Sequence, residues 1–114
     1  MHELSIAQNI LEIVKQNVPE EELNKVRSIK LRIGEFAGIV VDSLEFCFEA
    51  VTADTTLEKA KLDIDNVTVK GRCKSCKKSF NIEENLFKCP YCESLEIEMT
   101  SGAELQIVEF ELED

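Results

Sequence analysis

Four cysteines in the second half of the chain have the spacing of a metal site. They form two Cys-x2-Cys pairs, Cys73/Cys76 and Cys89/Cys92, with twelve residues between the pairs. Each pair can make a tight turn that directs both sulfurs to one side, and the intervening loop lets the two turns meet around one ion. Four thiolates in a tetrahedron select Zn²⁺ first, with iron or a disulfide pair as the alternatives. Four protein ligands leave no open position for a reacting water, so the pattern predicts a structural zinc.

The charge of the chain is unevenly distributed around these cysteines. The formal net charge is −10 at pH 7, yet residues 70–92 contain six basic and only two acidic side chains. That segment is therefore +4 and the remainder is −14. An acidic chain repels phosphate backbones, and the lysines can instead offset a tetrathiolate zinc centre of charge about −2. We expect no nucleic acid as a partner, and a zinc-ribbon nucleic-acid-binding or regulatory protein is the alternative function.

Composition and length indicate a globular protein with one modest core and a small satellite. Of the 114 residues, 44% are hydrophobic and 32% are charged. No stretch approaches the roughly 20 apolar residues of a membrane span. Charged and amide side chains within the first eighteen residues are incompatible with a secretory signal core. We therefore expect a cytoplasmic protein with reduced thiols and no membrane association.

Apolar periodicity predicts two helices in the first half of the chain. The first runs over residues 3–18, where apolar residues recur at steps of three and four. The second begins at Asp42, whose side chain would cap the helix in a capping box with Glu45. The positions predicted to be buried are Leu4, Ala7, Ile10, Leu11, Val14 and Val18 on the first helix, and Leu44, Cys47, Phe48 and Val51 on the second.

Alternating apolar residues predict the strands. The main candidates are residues 28–33, 61–70 with a bulge near 65–66, and 105–112; short candidates are 79–82 and 95–99. The cysteine segment would then lie between two strands of one sheet. We therefore expect an α+β fold, in which a small three-stranded sheet is covered by two helices and carries an inserted zinc-ribbon module. The predicted domains are 1–70 plus 103–114, an α/β domain, and 71–102, the zinc-binding ribbon.

The first residues of the chain form a second candidate metal site. An α-amine, the amide nitrogen of residue 2 and an imidazole at residue 2 can close consecutive chelate rings, as in Met1-His2-Glu3. Three such nitrogens suit the square-planar preference of Ni²⁺ or Cu²⁺. Taken alone, a histidine at position two is usually part of a frayed terminus. Because His2 is the one histidine in the chain, no nucleophile–base constellation can be drawn, and we do not expect an enzyme.

The chain contains a series of motifs, given below in chain order, that extends over nearly its whole length. Together they resemble the HypA family of nickel metallochaperones for nickel–iron hydrogenase maturation. Their combination is far more specific than any single piece. The motifs are Met1-His2-Glu3-Leu4-Ser5, Gly34-Glu35, Asp42-Ser43-Leu44 with Phe46 and Phe48 leading to Glu49, Cys73/Cys76, and Cys89-Pro90-Tyr91-Cys92.

The resemblance implies that Ni(II) binds through the Met1 amine, His2 and neighbouring backbone nitrogens, with Glu3 supporting the site. It also implies a structural Zn²⁺ on the four cysteines, a GTPase partner of the HypB type, and delivery of nickel to the hydrogenase large subunit, or to urease. The 1–70 plus 103–114 domain would be the nickel-binding domain, and we expect a monomer or weak homodimer. One residue departs from the family pattern: glycine usually follows the last cysteine, and Glu93 here leaves the fine geometry of that turn open.

Overall fold

The computed structural model describes residues 2–114. These residues form two α-helices, one 3-10 helix and six strands. The strands pair in two three-stranded sheets, with orders β2-β1-β6 and β4-β3-β5. In chain order the elements are α1 (Glu3–Asn17), the 3-10 helix (Glu20–Lys25), β1 (Val26–Gly34), α2 (Val41–Thr52), β2 (Lys61–Val67), β3 (Lys70–Cys73), β4 (Ser79–Asn81), β5 (Ile97–Ser101) and β6 (Leu105–Leu112).

The order of the strands confirms the predicted α+β fold. Strands β2 and β6 flank β1 in one sheet, so the cysteine segment from β3 to β5 is inserted between two strands of that sheet. The chain divides into two compact units, the first comprising Met1–Arg32, Gly38–Asp65 and Gln106–Asp114, the second Ile33–Ala37 and Asn66–Leu105. These compact units are not a test of the predicted domains. The boundaries of 1–70 plus 103–114 and of 71–102 therefore stay a prediction.

The core of the first unit confirms most of the apolar pattern of α1. Ala7, Ile10 and Val14 are buried as predicted. Leu4, however, is 47% exposed, whereas Ile6 is buried. The prediction for Leu4 was wrong because the buried stripe of α1 is centred on the line through Ile6, Ile10 and Val14, which leaves Leu4 outside its edge.

The start of α2 differs from the prediction. The helix begins at Val41, with Val40 at the N-cap, so Asp42 lies inside the first turn and the predicted capping box is wrong. The reason is that the Leu44 N–H already donates to the Val40 carbonyl at 3.0 Å, so helical bonding begins before Asp42. The predicted inner face is otherwise correct at Leu44 and Phe48, which are buried.

The predicted strand over 61–70 is two strands. Strand β2 ends at Val67 and β3 begins at Lys70, and between them the Val69 carbonyl already accepts the Ile82 N–H of the cysteine segment at 2.9 Å. Strand β3 pairs antiparallel with both β4 and β5, and its register with β5 shifts between Lys70 and Gly71. The cysteine segment therefore has its own small sheet. Among residues 2–114, no helix has both the length and the apolar character needed to cross a membrane.

Candidate metal centre

The four cysteines meet at one end of the β4-β3-β5 sheet. Cys73 is the last residue of β3, Cys76 lies in the turn to β4, and Cys89 and Cys92 lie between β4 and β5. Their four Sγ atoms all lie within 4.8 Å of one another. The Sγ atoms of Cys73 and Cys92 are 3.6 Å apart, as are those of Cys76 and Cys89. A tetrahedral ion with Zn–S bonds of about 2.3 Å requires sulfurs roughly 3.8 Å apart, so the cluster is compatible with structural zinc.

The first cysteine pair is held in a tight turn by the backbone. The Cys76 N–H donates to the Cys73 Sγ at 3.4 Å, and the Lys77 N–H donates to the Cys73 carbonyl at 2.9 Å. Lys77 adopts a left-handed conformation with φ 68°. The turn closes where the Cys73 N–H donates to the Lys78 carbonyl at 2.9 Å. Both sulfurs of the pair thus point to the same side of the turn.

The second cysteine pair repeats these three hydrogen bonds. The Cys92 N–H donates to the Cys89 Sγ at 3.4 Å, and the Glu93 N–H donates to the Cys89 carbonyl at 2.9 Å. The Cys89 N–H in turn donates to the Ser94 carbonyl at 2.9 Å. Glu93 has φ 64°, so it adopts the left-handed conformation for which glycine is favoured. The replacement of glycine by Glu93 therefore leaves this turn intact.

In each turn the first cysteine is more deeply buried than the second. Cys73 and Cys89 are fully buried, Cys76 is half-buried, and Cys92 is exposed. Packing beneath the buried pair is close: a Cβ added at Gly71 would lie 2.7 Å from Ile82 Cδ1 and 2.8 Å from Ile97 Cγ2. The absence of a side chain at Gly71 thus lets two isoleucines cover β3. Sequence reasoning missed this role of Gly71, although a lone glycine within a strand is a known sign of close approach.

Backbone donors lower the pKa of Cys73 and Cys92, whereas the neighbouring thiols lower the pKa of Cys73 and raise that of Cys92. The N–H groups of Cys76 and Ser75 favour the thiolate and lower the pKa of Cys73 to about 6, against the effect of burial. For Cys92 the Ser94 N–H also lowers the pKa, but the neighbouring thiols and burial outweigh it and raise the pKa to about 12. Sulfurs this close repel one another as anions. All four become thiolates together only when a cation offsets their charge.

Polar and cationic side chains surround the cluster. The Lys78 Nζ lies 4.7 Å from the centroid of the Tyr91 ring, a cation–π contact between the two cysteine turns. The hydroxyls of Ser75 and Ser94 are 3.1 Å apart and also join one turn to the other. Neither contact was predicted, because each joins residues far apart in the sequence that come close only in the folded ribbon.

The N-terminal candidate site is described only in part. Met1 lies outside the described residues, so the predicted amine donor has no described position. His2 is exposed at the N-cap of α1, and its carbonyl accepts the Ile6 N–H at 3.2 Å. The Glu3 Oε2 accepts the N–H of Val40 at 3.3 Å. Within residues 2–114, the one cluster of three or more metal-binding side chains consists of the four cysteines, so it includes neither His2 nor Glu3.

The fifth cysteine, Cys47, is half-buried on α2 and outside the four-cysteine cluster.

An α+β chain with four converging sulfurs on an inserted ribbon belongs to the class of small metal-binding proteins. A family model described as hydrogenase/urease nickel incorporation, metallochaperone, HypA matches residues 1–112. The chain belongs to the HypA family.

Individual relatives are similar over their full lengths. The hydrogenase maturation factor HypA of Geotalea uraniireducens is 42% identical over 113 residues, which cover 99% of this chain and 100% of the relative. The factor of the same name from Geobacter metallireducens is 41% identical with the same coverage. Among solved structures, the solution structure of the Ni metallochaperone HypA from Helicobacter pylori has a TM-score of 0.66 at 23% identity, covering 98% of this chain and 97% of that one. The latter likeness concerns the fold.

Proposed function

We propose that this chain binds Ni(II) at its N-terminus and delivers it during the maturation of nickel–iron hydrogenase. The proposed donors are the Met1 amine, the amide nitrogen of His2 and the His2 imidazole, with Glu3 supporting the site. The observation that carries the proposal is membership of a nickel-incorporation family whose model matches from residue 1. A nickel–iron hydrogenase is the proposed recipient, and urease is the second recipient class that the family description allows.

The position of His2 supports this chelate in physical terms. His2 is the N-cap of α1, and an N-cap amide has no acceptor within its own helix. Nickel can therefore replace the proton of the His2 amide without breaking a helical hydrogen bond. The His2 side chain is exposed, which leaves the imidazole accessible to an incoming ion and to a recipient.

The four cysteines are proposed to hold a structural zinc. Cys73, Cys76, Cys89 and Cys92 would be its ligands, and the ion, when bound, supplies the positive charge and cross-link that join the two cysteine turns. Four sulfur ligands leave no position for a reacting water, so we propose a role in folding and no catalysis. Residues 71–102 would then form a zinc-dependent domain, and residues 1–70 with 103–114 the nickel-binding domain.

The proposed partners are a GTPase of the HypB type and the hydrogenase large subunit, with the chain itself a monomer or weak homodimer. Nucleic acid is not among them, because the overall charge of −10 opposes binding to phosphates.

The N-terminal chelate is tested by calorimetric titration with Ni²⁺ of three untagged proteins. These are the unmodified chain, a chain with a few residues added before Met1, and His2→Ala. The extension converts the Met1 amine into a peptide nitrogen but keeps every side chain, so both variants should lose the tight site while zinc content stays the same. Nickel binding by the extended chain with undiminished affinity would show that the site lies elsewhere.

A further inference from the structure

The solvent side of α2 is acidic from its first turn to its last, a pattern that the helix dipole favours only at the N-terminal end, where Asp42 lies. Its charged residues are Asp42, Glu45 and Glu49, all acidic and all exposed. They are spaced three and four residues apart, so like charges repel across successive turns. Glu49 also lies in the last turn, where the helix dipole disfavours a carboxylate. The exposed Lys61 lies 3.8 Å from Glu49, but an ion pair in solvent contributes little.

A large apolar side chain lies in the middle of these carboxylates. Phe46 is 73% exposed, whereas Leu44 and Phe48 on the opposite side of α2 are buried. Val40 at the N-cap is 62% exposed and Leu4 on α1 is 47% exposed. One exposed apolar residue is ordinary in a folded protein, but a phenylalanine this exposed within a row of like charges needs an explanation other than stability.

The beginnings of α1 and α2 are joined by a hydrogen bond. The hydrogen bond from the Val40 N–H to the Glu3 carboxylate joins the N-cap of α2 to the first residue of α1. Leu4 follows Glu3, and the exposed His2 precedes it. We call this region the α2 surface and define it by Leu4, Val40, Asp42, Glu45, Phe46 and Glu49. Val40 joins it to Glu3, the proposed supporting residue of the nickel site, through that hydrogen bond.

We propose that the α2 surface docks a basic segment of the protein that takes nickel from this chain, with an apolar side chain at its centre. The inference rests on the proposed function and adds the chemistry of the partner. Aromatic side chains are enriched at the centres of protein interfaces and polar groups at their rims, where the ring supplies affinity and the charges supply orientation and rate. Lysine or arginine on the partner would relieve the repulsion between Asp42, Glu45 and Glu49.

Charge argues against three other occupants of the α2 surface, namely the same unit of a second copy, nucleic acid and an anionic lipid surface. The first unit contains sixteen acidic and seven basic residues, a net charge of −9. The same unit of a second copy would therefore be repelled, as would nucleic acid or an anionic lipid surface. A basic polypeptide is the occupant that this surface fits.

The test uses the full-length zinc-loaded protein with two purified probes from the same organism, the HypB-type GTPase and the precursor of the hydrogenase large subunit. Affinity is measured at low and high ionic strength for the unmodified chain, Phe46→Ala, and the triple variant Asp42→Asn/Glu45→Gln/Glu49→Gln. Two controls are matched in chemistry. Ile13→Ala removes another exposed apolar side chain of α1, and Glu20→Gln/Glu21→Gln/Glu22→Gln removes three other carboxylates of the first unit.

We expect Phe46→Ala to weaken binding of at least one probe by about tenfold or more, as expected for a hot-spot residue. The triple variant should weaken it at low ionic strength and much less at high, because salt screens the lost attraction. Its melting temperature should change little, because the lost attraction between Asp42 and the N-terminus of α2 offsets the relief of repulsion among the three carboxylates, whereas a purely structural role would lower it. Both control variants should bind like the unmodified chain.

A photo-reactive benzoylphenylalanine at position 46 identifies the contacting segment. The cross-linked partner peptide should carry lysine or arginine beside an apolar residue. Equal binding by the α2 variants and the controls would overturn the proposal, as would cross-links to an acidic segment or between two copies of this chain. The absence of binding to either probe would also overturn it. Nickel titration of the same variants separates the two proposals, because Phe46→Ala should bind nickel unchanged whether or not docking is lost.

Discussion

The Glu3 Oε2 atom lies 3.3 Å from the backbone nitrogen of Val40 and accepts its hydrogen. Val40 is the N-cap of α2 and has no polar side-chain group with which to cap the helix itself. The carboxylate that opens α1 therefore supplies a negative charge at the N-terminus of α2, where the helix dipole favours one. The same contact fixes the residue that follows His2.

Substitution of Glu3 should separate its hydrogen bond from its charge. Glu3→Gln keeps an oxygen that can accept the Val40 N–H, whereas Glu3→Ala removes it. We expect Glu3→Ala to lower the free energy of unfolding by about 0.5–1 kcal/mol, the usual range for one exposed hydrogen bond, and Glu3→Gln to lower it less. Nickel affinity should fall in the same order. Urea unfolding and nickel titration measure the two effects, and identical behaviour of all three proteins would contradict a positioning role.

Removal of one proposed zinc ligand should unfold the ribbon alone. Cys76→Ala should lose zinc, because a tetrathiolate site contributes on the order of 10–16 kcal/mol of binding free energy and the ribbon has little apolar core. Residues from about 71 to 100 should then show collapsed amide dispersion in NMR spectra, while the signals of α1 and α2 persist. Cys47→Ala is the control, since Cys47 lies outside the cluster and its loss should leave zinc content at one ion per chain. A well-dispersed ribbon in metal-free Cys76→Ala would show that zinc is not required for its fold.

Glycine at position 93 should stabilise the second cysteine turn. Glu93 has φ 64°, a conformation that costs a residue with a Cβ about 1 kcal/mol more than glycine. The variant also loses the Glu93–Lys88 ion pair at 3.8 Å, but both side chains are exposed and the loss is small. Glu93→Gly should therefore resist zinc removal by a chelator longer than the unmodified chain. Lys77→Gly tests the equivalent position of the first turn, and a faster loss of zinc from both variants would contradict the argument.

Nickel binding should weaken as the pH falls from about 8 to about 6, because amine, imidazole and amide donors must give up protons before they bind a metal. Protons and Ni²⁺ compete for the same nitrogens, so the apparent affinity falls with each step into acid. Titrations at several pH values in buffers of different ionisation enthalpy also count the protons released. A constant affinity with no proton release would indicate carboxylate ligands in place of the N-terminal nitrogens.

The sequence predicted those features that depend on a short-range pattern of residues. The spacing of the cysteines predicted their convergence, and the strand predicted over 105–112 has the bounds of β6, although its burial does not alternate. Strand β1 is buried at Ile29, Leu31 and Ile33 as its alternation indicates. These features depend on residues a few positions apart, whose periodicity is set by backbone geometry.

The features that escaped prediction depend on residues distant in the chain. The capping box at Asp42 and Glu45 was a valid local signature, but the N-cap is Val40 and its N–H is satisfied by Glu3, thirty-seven residues earlier. Likewise, Glu93 has no intrinsic preference for a left-handed conformation, yet its turn adopts the same hydrogen bonds as the first. Tertiary contacts decided these positions against the local signal.

The unequal depth of the cysteines gives the metal centre an inner and an outer half. Cys73 and Cys89 are fully buried, whereas Cys92 is exposed and Cys76 is half-buried. A competing ligand from solution can therefore exchange first with the outer sulfurs, and complete loss of the ion requires the inner pair to open as well. The consequence is kinetic. A zinc ion bound by the four cysteines should therefore leave slowly and in two stages, whereas nickel bound at the exposed His2, as proposed, would meet no such barrier, so the two metals would differ in residence time.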